Sequence, residues 1–405
     1  MITKKTLVII CLILAMIFHL IYYFESNGPE INRLIFKLNS ILPLVSVLIL
    51  IFVYIATNWR VDLKGDFMLG MYDLMILWIF ICFFRGISDI HGRIEWKESL
   101  FNPYLGLSLF PTLFFLVGIN LKYFSPINKM LSVYCALSWA FSLFYMVYPE
   151  LQLFLLLPIF YVIVTYPLQS NKTRILTLII SVNIIVFSLT NRAGVMRLLI
   201  SYIIVLIYYI IYKFKLNKKL INIVVFCLLL SPIFSIYLGI TGKNVFKMVL
   251  RDYTENYRQD NLTADTRTFL YMEVFEDLKI TKAFVFGKGI NGGYVSNSFE
   301  TLKREVVEVG FLQILLKSGI LGFLLYITLI ISAIFKALNK SKNLFMQFLA
   351  LLLSGYVLMF FIENVIGFNL FNIIIWLVVG MCHSEELRGL NDKEIRELFL
   401  NGQDK

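Results

Sequence analysis

The sequence is dominated by apolar runs of about 20 residues that follow one another with short polar connections. A run of this length lets a helix cross the hydrocarbon core of a bilayer, because each residue advances a helix by about 1.5 Å. The chain is 59% hydrophobic and 16% charged, whereas a soluble domain carries about a quarter charged residues. The pattern therefore predicts an all-α polytopic membrane protein.

The apolar runs predict about twelve membrane-spanning helices. Their expected ranges are 6–24, 40–57, 67–84, 104–120, 127–148, 151–168, 174–190, 193–212, 219–240, 310–335, 344–362 and 366–382. The first run follows the basic start MITKK but has no small-residue cleavage site, so we expect an uncleaved helix.

Basic residues indicate how these helices are oriented. With the N-terminus inside, Lys and Arg concentrate in the inner connections, for example in the runs KFKLNKK and KALNKSK. The basic residues of the outer connections are matched by acids. Both termini are therefore expected in the cytoplasm, with 241–306 outside. The net charge of +11 is then a signal of topology and does not indicate a nucleic-acid partner.

This topology divides the chain into four parts. They are transmembrane helices 1–9 (1–240), one large extracytoplasmic loop containing short helices (241–309), transmembrane helices 10–12 (310–382) and a cytoplasmic tail (383–405). The tail is expected to be solvated, with a short amphipathic helix as the alternative. The loop offers the largest water-facing surface, and we therefore look for function there.

The loop contains two stretches with helical patterns, VFKMVLRDYTENY and DTRTFLYMEVFEDLKI. In the second, Asp265 is a suitable N-cap. Four residues are expected to share its apolar stripe: Phe269, Met272, Phe275 and Leu278. The run FVFGKGINGGY follows, and its Gly287 and Gly289 permit tight turns that can point amides at a phosphate. It is not a P-loop, because no Lys-Ser/Thr pair follows.

Another helix is expected to start at Ser298 and descend into the membrane. Glu300, Arg304 and Glu308 are spaced by four residues, which would place them on one helix face. They form either a surface ladder of charge pairs or, because Glu308 meets the bilayer, part of a site.

Arg192 lies in a tight outer turn with few polar neighbours in the sequence. A charge near the bilayer core costs about 2.5–3.5 kcal/mol, so such a residue either snorkels to the interface or has a functional partner.

The five cysteines are Cys11, Cys82, Cys135, Cys227 and Cys382. All lie in or beside apolar runs, so the loop offers no disulfide framework and no cysteine metal site.

Four sequence pieces in this order resemble the O-antigen polymerase (Wzy) and O-antigen ligase superfamily. They are the outer Arg before a span (SLTNRAGVMRLLISYIIVL), TRTFLYMEVF, FGKG and EVGFLQILLKSGILGFLL. The resemblance implies a GT-C-like helical fold in the bacterial cytoplasmic (inner) membrane. It also implies an active site on the outer face and undecaprenyl-pyrophosphate-linked glycan donors. No nucleotide-sugar, no cofactor and no catalytic metal are expected.

The polymerase is the favoured branch of this superfamily. Ligases typically carry a His-Asn pair just before the segment matched here by GFLQILLKSGILG, where this chain has Glu308 and Val309. The histidines are His19, His91 and His383, and all lie outside 241–306. The ligase remains an alternative. A lipid-linked-glycan flippase or transporter is a second one, although no internal repeat is visible.

In the expected polymerase reaction, a glycan is transferred from undecaprenyl pyrophosphate to a sugar hydroxyl of another lipid-linked repeat unit. This reaction assigns roles to particular residues. Arg192 and Arg267 would stabilise the leaving diphosphate, because a guanidinium is permanently charged and its planar fork matches phosphate oxygens. Glu308 would be the base, if one is used. The expected substrate-binding residues are Arg304, Arg251, Arg258, Gly287 and Gly289. The expected partners are lipid-linked oligosaccharides and the bilayer, with a chain-length regulator and a flippase left open.

Overall fold

The structure is a computed structural model. It describes residues 6–10, 12–14, 16–17, 67–87, 111–142, 159–187, 192–214, 219–240, 268–296, 303–361, 363–364, 366 and 369–401. These residues are mostly helical, as predicted, with one short two-stranded antiparallel sheet in addition.

The helices fall into two groups along the chain. The first group is α1 (Phe67–Ile87), α2 (Phe114–Ile119), α3 (Phe124–Ser142), α4 (Ile159–Val164), α5 (Asn171–Phe187), α6 (Arg192–Phe214) and α7 (Lys219–Ile240), with 3-10 turns at Leu121–Tyr123 and Tyr166–Leu168. The second is α8 (Thr268–Ile280), strands β1 (Tyr294–Val295) and β2 (Lys303–Arg304), α9 (Gly310–Asn339), α10 (Leu344–Phe360), α11 (Leu370–His383), α12 (Glu385–Gly389) and α13 (Asp392–Asn401).

Many of the predicted helices coincide with observed ones. The prediction 219–240 matches α7 at both ends, and 67–84 matches the start of α1. The second parts of 104–120 and 151–168 form only the short helices α2 and α4 followed by 3-10 turns. The predicted span 40–57 lies outside the described residues.

Among the described residues, two helices are long and apolar enough to cross a membrane. They are α1, over Phe67–Gly86, and the 30-residue α9. Large apolar side chains on α1 and α7 are exposed, and among the most exposed are Phe67, Phe84, Phe226 and Ile233. Water-soluble monomers rarely expose apolar faces of this extent, whereas a lipid-facing helix requires them.

The core lies where α9, α10 and α11 pack together, with α2 against α11, α1 against α9 and α7 against α10. The contact between α2 and α11 is very close. A Cβ added to Gly118 would lie 2.1 Å from the carbonyl oxygen of Leu377, so only glycine fits there. Small residues at such contacts allow helix backbones to approach one another. At the centre of the core, the hydroxyls of Tyr326 and Tyr356 are 2.7 Å apart.

The C-terminal helices pack on this bundle, so the expectation of a solvated tail is wrong for 385–401. Ile395 and Phe399 are fully buried on one face of α13. The ring of Phe399 lies 5.2 Å from that of Phe124 and 5.5 Å from that of Phe345. Asp392 Oδ1 accepts a hydrogen bond of 2.6 Å from the amide of Leu344 at the start of α10. The amphipathic alternative is the one observed.

Candidate functional site

The described part of the predicted outer loop packs on three helices. It consists of α8, the glycine loop (284–293), the β1–β2 hairpin and the connection 305–309 into α9. On α8 the fully buried residues are Leu270, Val274 and Leu278, whereas Met272 is 58% exposed. The predicted stripe through Met272 is therefore wrong. The buried face of α8 is the one that meets α7 and α9. Asp265 and the stretch VFKMVLRDYTENY lie outside the described residues.

The predicted helix from Ser298 is wrong over 303–309, where the backbone is extended or bent. Tyr294 pairs with Arg304 and Val295 pairs with Lys303 in an antiparallel register, and α9 begins only at Gly310. The glycines before β1 allow the chain to turn back, and the hairpin then satisfies backbone groups that a helix would have used.

A group of polar side chains surrounds this hairpin, and we name it the hairpin cluster: Glu273, Tyr294, Ser296, Arg304 and Glu308. Arg304 Nη2 lies 3.7 Å from Glu308 Oε1. Ser296, which is fully buried, donates a hydrogen bond of 2.8 Å to Glu273 Oε2. Tyr294 is also fully buried and stands directly opposite Arg304 in the sheet.

The hairpin cluster combines one cation with two carboxylates around a buried phenol. Burial raises the pKa of Tyr294, Arg304 opposes this rise, and Glu273 and Glu308 add to it. The phenol therefore stays protonated near neutral pH and can donate a hydrogen bond. The side chains of Arg304 and Glu308 are 28% and 46% exposed, so a ligand can reach them from solvent.

Neighbouring elements hold the connection 305–309 in place. The amide of Val307 donates to Gln313 Oε1 at 2.6 Å, and its carbonyl accepts from Asn364 Nδ2 at 2.7 Å. The amide of Gly310 donates to the carbonyl of Glu363 at 3.2 Å. Glu308 therefore projects from a backbone that its neighbours hold in place, which restricts the positions its carboxylate can take.

The glycine loop does not form the expected phosphate-binding turn, because its amides already have protein acceptors. Gly287 N donates to Ala283 O at 2.7 Å, and Lys288 N donates to Leu316 O at 2.8 Å. Gly289 N donates to Lys317 O at 2.9 Å. Gly287 and Gly289 have φ values of 69° and 80°, so they supply the left-handed backbone that these contacts require.

These bonds close a break in α9 at Gly319, where φ is 67° and ψ is −174°. Carbonyls before the break accept from the glycine loop, and Ser318 O accepts from Trp78 Nε1 at 2.9 Å. Beyond the break, the amides of Ile320 and Leu321 donate to Phe284 O and Val285 O at 3.0 and 3.4 Å. Within the described residues, the loop thus replaces the helical hydrogen bonds that the break removes.

Three basic side chains fasten the glycine loop. Arg85, at the end of α1, donates to Phe286 O at 2.6 Å and to Gly287 O at 2.8 Å. Lys317 is 9% exposed and donates to Gly292 O at 2.6 Å. Lys288 donates to Gly293 O at 3.0 Å and forms an ion pair with Asp277. The loop is therefore a brace between α1, α8 and α9.

Two of the predicted charged site residues have described side chains, Arg304 and Glu308, and these lie close together. Arg192 begins α6, but its side chain lies outside the described residues. Arg251, Arg258 and Arg267 also lie outside them.

Sequence reasoning missed Glu273, Tyr294 and Ser296. The glycines of NGGY were the available signal, because they indicate a turn into a hairpin opposite Arg304. Over the described ranges, no group of three or more His, Cys, Asp or Glu side chains is arranged to hold a metal ion.

The described residues define a mostly helical protein, in which two helices are long and apolar enough to span a membrane and partly exposed charges lie at one end of α9. Comparisons with protein families, with curated proteins and with solved structures find no match to the chain.

Proposed function

We propose that the protein is a multi-pass polysaccharide polymerase of the bacterial cytoplasmic membrane. It transfers a glycan from undecaprenyl pyrophosphate to a sugar hydroxyl of another lipid-linked repeat unit on the outer face. The product class is O-antigen or capsular polysaccharide. The sequence resemblance to the Wzy and ligase superfamily and the geometry of the hairpin cluster support this proposal.

The observation that carries the proposal is the contact of Arg304 with Glu308 at the N-terminal end of α9. A lipid-linked donor has an apolar chain, a diphosphate and a glycan. Such a molecule needs a polar site beside an apolar surface, and the hairpin cluster adjoins a helix long enough to cross a membrane. The exposed apolar residues Phe284, Val285 and Phe286 of the glycine loop extend this surface.

The chemistry requires little more than charge stabilisation and one proton acceptor. The acceptor hydroxyl attacks the anomeric carbon, the bond from that carbon to the diphosphate oxygen breaks, and the electron pair leaves on the diphosphate. Arg304 stabilises this charge, together with Arg192 and Arg267 in the proposed site. The hydroxyl proton passes to Glu308, because a guanidinium cannot act as a base. In-line displacement inverts the anomeric centre.

The first test replaces Glu308 by Gln and compares it with Glu276→Gln. Glu276 is an exposed carboxylate on α8, so the control removes the same charge from the same segment. Polymer ladders on gels are the readout, with protein level in the membrane measured in parallel. We expect Glu308→Gln to accumulate single-repeat products and Glu276→Gln to give the full ladder. A full ladder from Glu308→Gln at normal protein level removes the carboxylate from the mechanism.

The same assay tests Arg192→Lys and Arg267→Lys. Lysine keeps the charge but lacks the bidentate fork, so we expect about 100-fold less polymer. A wild-type ladder from either variant removes that arginine from the proposed site.

The ligase alternative transfers finished polymer to a different acceptor. A deletion strain separates the two enzymes by the products that accumulate. Single-repeat products indicate a polymerase, whereas full-length polymer that stays on its lipid carrier indicates a ligase.

The break in α9 favours the flippase or transporter alternative, because discontinuous helices often form transport sites. In those sites the freed backbone groups contact the substrate or ion. Here the glycine loop forms hydrogen bonds with the described backbone groups on both sides of Gly319. These groups are therefore used for structure and not for contact with a substrate, which argues against a transport site. Lipid-linked repeats that accumulate on the inner face in a deletion strain would indicate the flippase.

A further inference from the structure

A second charged cluster lies at the opposite end of α9, where α9, α11 and α12 meet. We name Lys336, His383 and Arg388 the basic cluster. Lys336 Nζ lies 3.1 Å from His383 Nδ1, and Arg388 Nη2 lies 3.5 Å from His383 O. His383 is 3% exposed and Arg388 is 6% exposed. These are buried side chains, so they do not form an ordinary solvated charged face.

The contact between Lys336 and His383 fixes the imidazole tautomer. An ammonium group can only donate, so His383 Nδ1 must accept from it. His383 Nε2 then carries the proton, and it lies 3.1 Å from Ser332 Oγ and 3.5 Å from Leu329 O. Both ring nitrogens are therefore engaged, and the imidazole has no acceptor left for Arg388.

Arg388 is the least satisfied member of the basic cluster. A guanidinium has five N–H donors. Within the described part of the chain, its nearest contacts are the long one to His383 O and an ion pair of 3.9 Å with Glu385, whose side chain is 84% exposed. Its buried Nε has no hydrogen-bond partner there. A buried cation with unfilled donors is unfavourable unless an anion pairs with it.

The surroundings add positive charge at the edge of the basic cluster. The amide of Lys342 donates to Arg388 O at 3.0 Å, so the connection between α9 and α10 lies against it. Lys340 and Lys342 are exposed in this connection. Glu385 and Glu386 are exposed on α12, so neither carboxylate is buried against the guanidinium.

We infer that the basic cluster binds a phosphate group, with Arg388 as the planar fork and Lys336 as a second cation. Guanidinium groups bind phosphate oxygens through two parallel hydrogen bonds. Arg388 can offer Nε, which has no partner among the described residues, together with Nη2, whose two contacts are long. The cluster stands at the end of a helix long and apolar enough to span a membrane. The ends of a spanning helix lie beside the lipid head groups, where phosphates are found. The ligand class is a phosphate-bearing anion, from a lipid head group or free in solution.

The test uses the purified full-length protein in detergent and native mass spectrometry. The probes are dioleoylphosphatidylglycerol, dioleoylglycerol and inorganic phosphate. Dioleoylglycerol has the same acyl chains without the phosphate, so it isolates the head-group contribution. We expect the phospholipid to bind at least about 10-fold more tightly than dioleoylglycerol, since a charge-assisted contact is worth roughly that factor or more.

Arg388→Gln and Arg396→Gln form a matched pair of variants. Each removes one positive charge from the C-terminal segment, but Arg396 is exposed on α13. We expect Arg388→Gln to lose about 10-fold or more of the phospholipid affinity and Arg396→Gln to change it less than about twofold. If Arg388→Gln does not fold, Lys336→Gln replaces it in the comparison.

The possible outcomes distinguish a lipid head group from a free phosphate anion, and they also show when the inference is wrong. Phospholipid binding that inorganic phosphate does not displace assigns a head group. Displacement by millimolar phosphate assigns a free anion. Equal binding of the phospholipid and dioleoylglycerol, or equal losses in Arg388→Gln and Arg396→Gln, overturns the inference. The readout is binding alone, so it does not depend on the proposed glycosyl transfer.

Discussion

The glycine loop and the hairpin cluster are neighbours, but their polar groups are used in opposite ways. In the glycine loop, backbone amides and three basic side chains reach protein acceptors at 2.6–3.2 Å. In the hairpin cluster, Arg304 and Glu308 are 3.7 Å apart and both are partly exposed. A tightly bonded network stabilises a fold, whereas loosely paired charges within reach of solvent are available to a ligand.

This difference separates two kinds of glycine and arginine that look alike in the sequence. FGKG resembles a phosphate-binding turn, yet its backbone holds a helix break together. Arg85 and Arg304 both lie near the ends of helices that are long and apolar enough to cross a membrane. Arg85 is bonded to carbonyl groups, and Arg304 faces a carboxylate. We therefore expect substitutions in the glycine loop to change stability and substitutions in the hairpin cluster to change activity.

The largest effect is expected for Gly319→Ala. Alanine would have to adopt a φ of 67°, and its Cβ would lie 2.2 Å from Val285 O. We expect a loss of about 3 kcal/mol or more in the free energy of unfolding, measured by thermal unfolding in detergent. The control is Gly70→Ala, because no other element among the described residues comes within 4 Å of a Cβ added there. Equal stability of the two variants would show that the break is not held by the loop.

The next prediction compares the two arginines, each replaced by glutamine. Arg304→Gln should lower polymer formation about 100-fold with little change in melting temperature. Arg85→Gln should lower the free energy of unfolding by about 1–3 kcal/mol, because it loses bonds to two carbonyls, while activity per folded molecule stays within about threefold. Thermal unfolding and polymer ladders measured on both variants test this. The reverse pattern would contradict the division between brace and site.

A smaller effect is expected for Lys317→Met. Methionine fills a similar volume but removes the donor to Gly292 O, leaving a buried carbonyl unsatisfied. We expect a loss of about 1–3 kcal/mol in the free energy of unfolding. Lys340→Met, at an exposed position beyond the other end of α9, should cost less than about 0.5 kcal/mol. If both variants have the same melting temperature, the contact of Lys317 with Gly292 does not contribute to stability.

The smallest effect concerns pH and Tyr294. Its pKa is raised in the folded protein, so the folded state holds the phenol proton at a pH where the unfolded chain releases it. Stability from this group is therefore present below about pH 10 and declines as pH rises above that value. Melting temperatures between about pH 9 and pH 11 should fall less steeply for Tyr294→Phe than for the wild type. Parallel curves would place Tyr294 in a more solvated environment.

Much of the helical pattern could be predicted from the sequence, because a long apolar run has few alternatives to forming a helix. The ends of α7 were predicted to the residue. The break at Gly319 could not be predicted, because SGILG is apolar enough to continue a helix and the break depends on a loop closing it from outside. Lys317 in an apolar run was the available signal, since a buried ammonium needs an acceptor.

The contact between Arg304 and Glu308 could be anticipated, but not its cause. A spacing of four residues brings side chains together on a helix, and here a bent connection after β2 does the same. Glu273 and Ser296 are brought together from different elements by tertiary packing, which residue spacing cannot express. Sequence patterns identify local periodicity well and contacts between distant segments poorly.

The ring of Phe399 packs against the rings of Phe124 and Phe345, which also contact each other at 5.4 Å. During synthesis a ribosome makes Phe124 long before Phe399, so these two aromatic side chains cannot meet until α13 has left the exit tunnel. Until then the rings of Phe124 and Phe345 lack the aromatic side chain that packs against both of them. A premature stop codon between α11 and α13 would therefore keep helices α1 to α11 in the chain and still leave these two aromatic rings without Phe399.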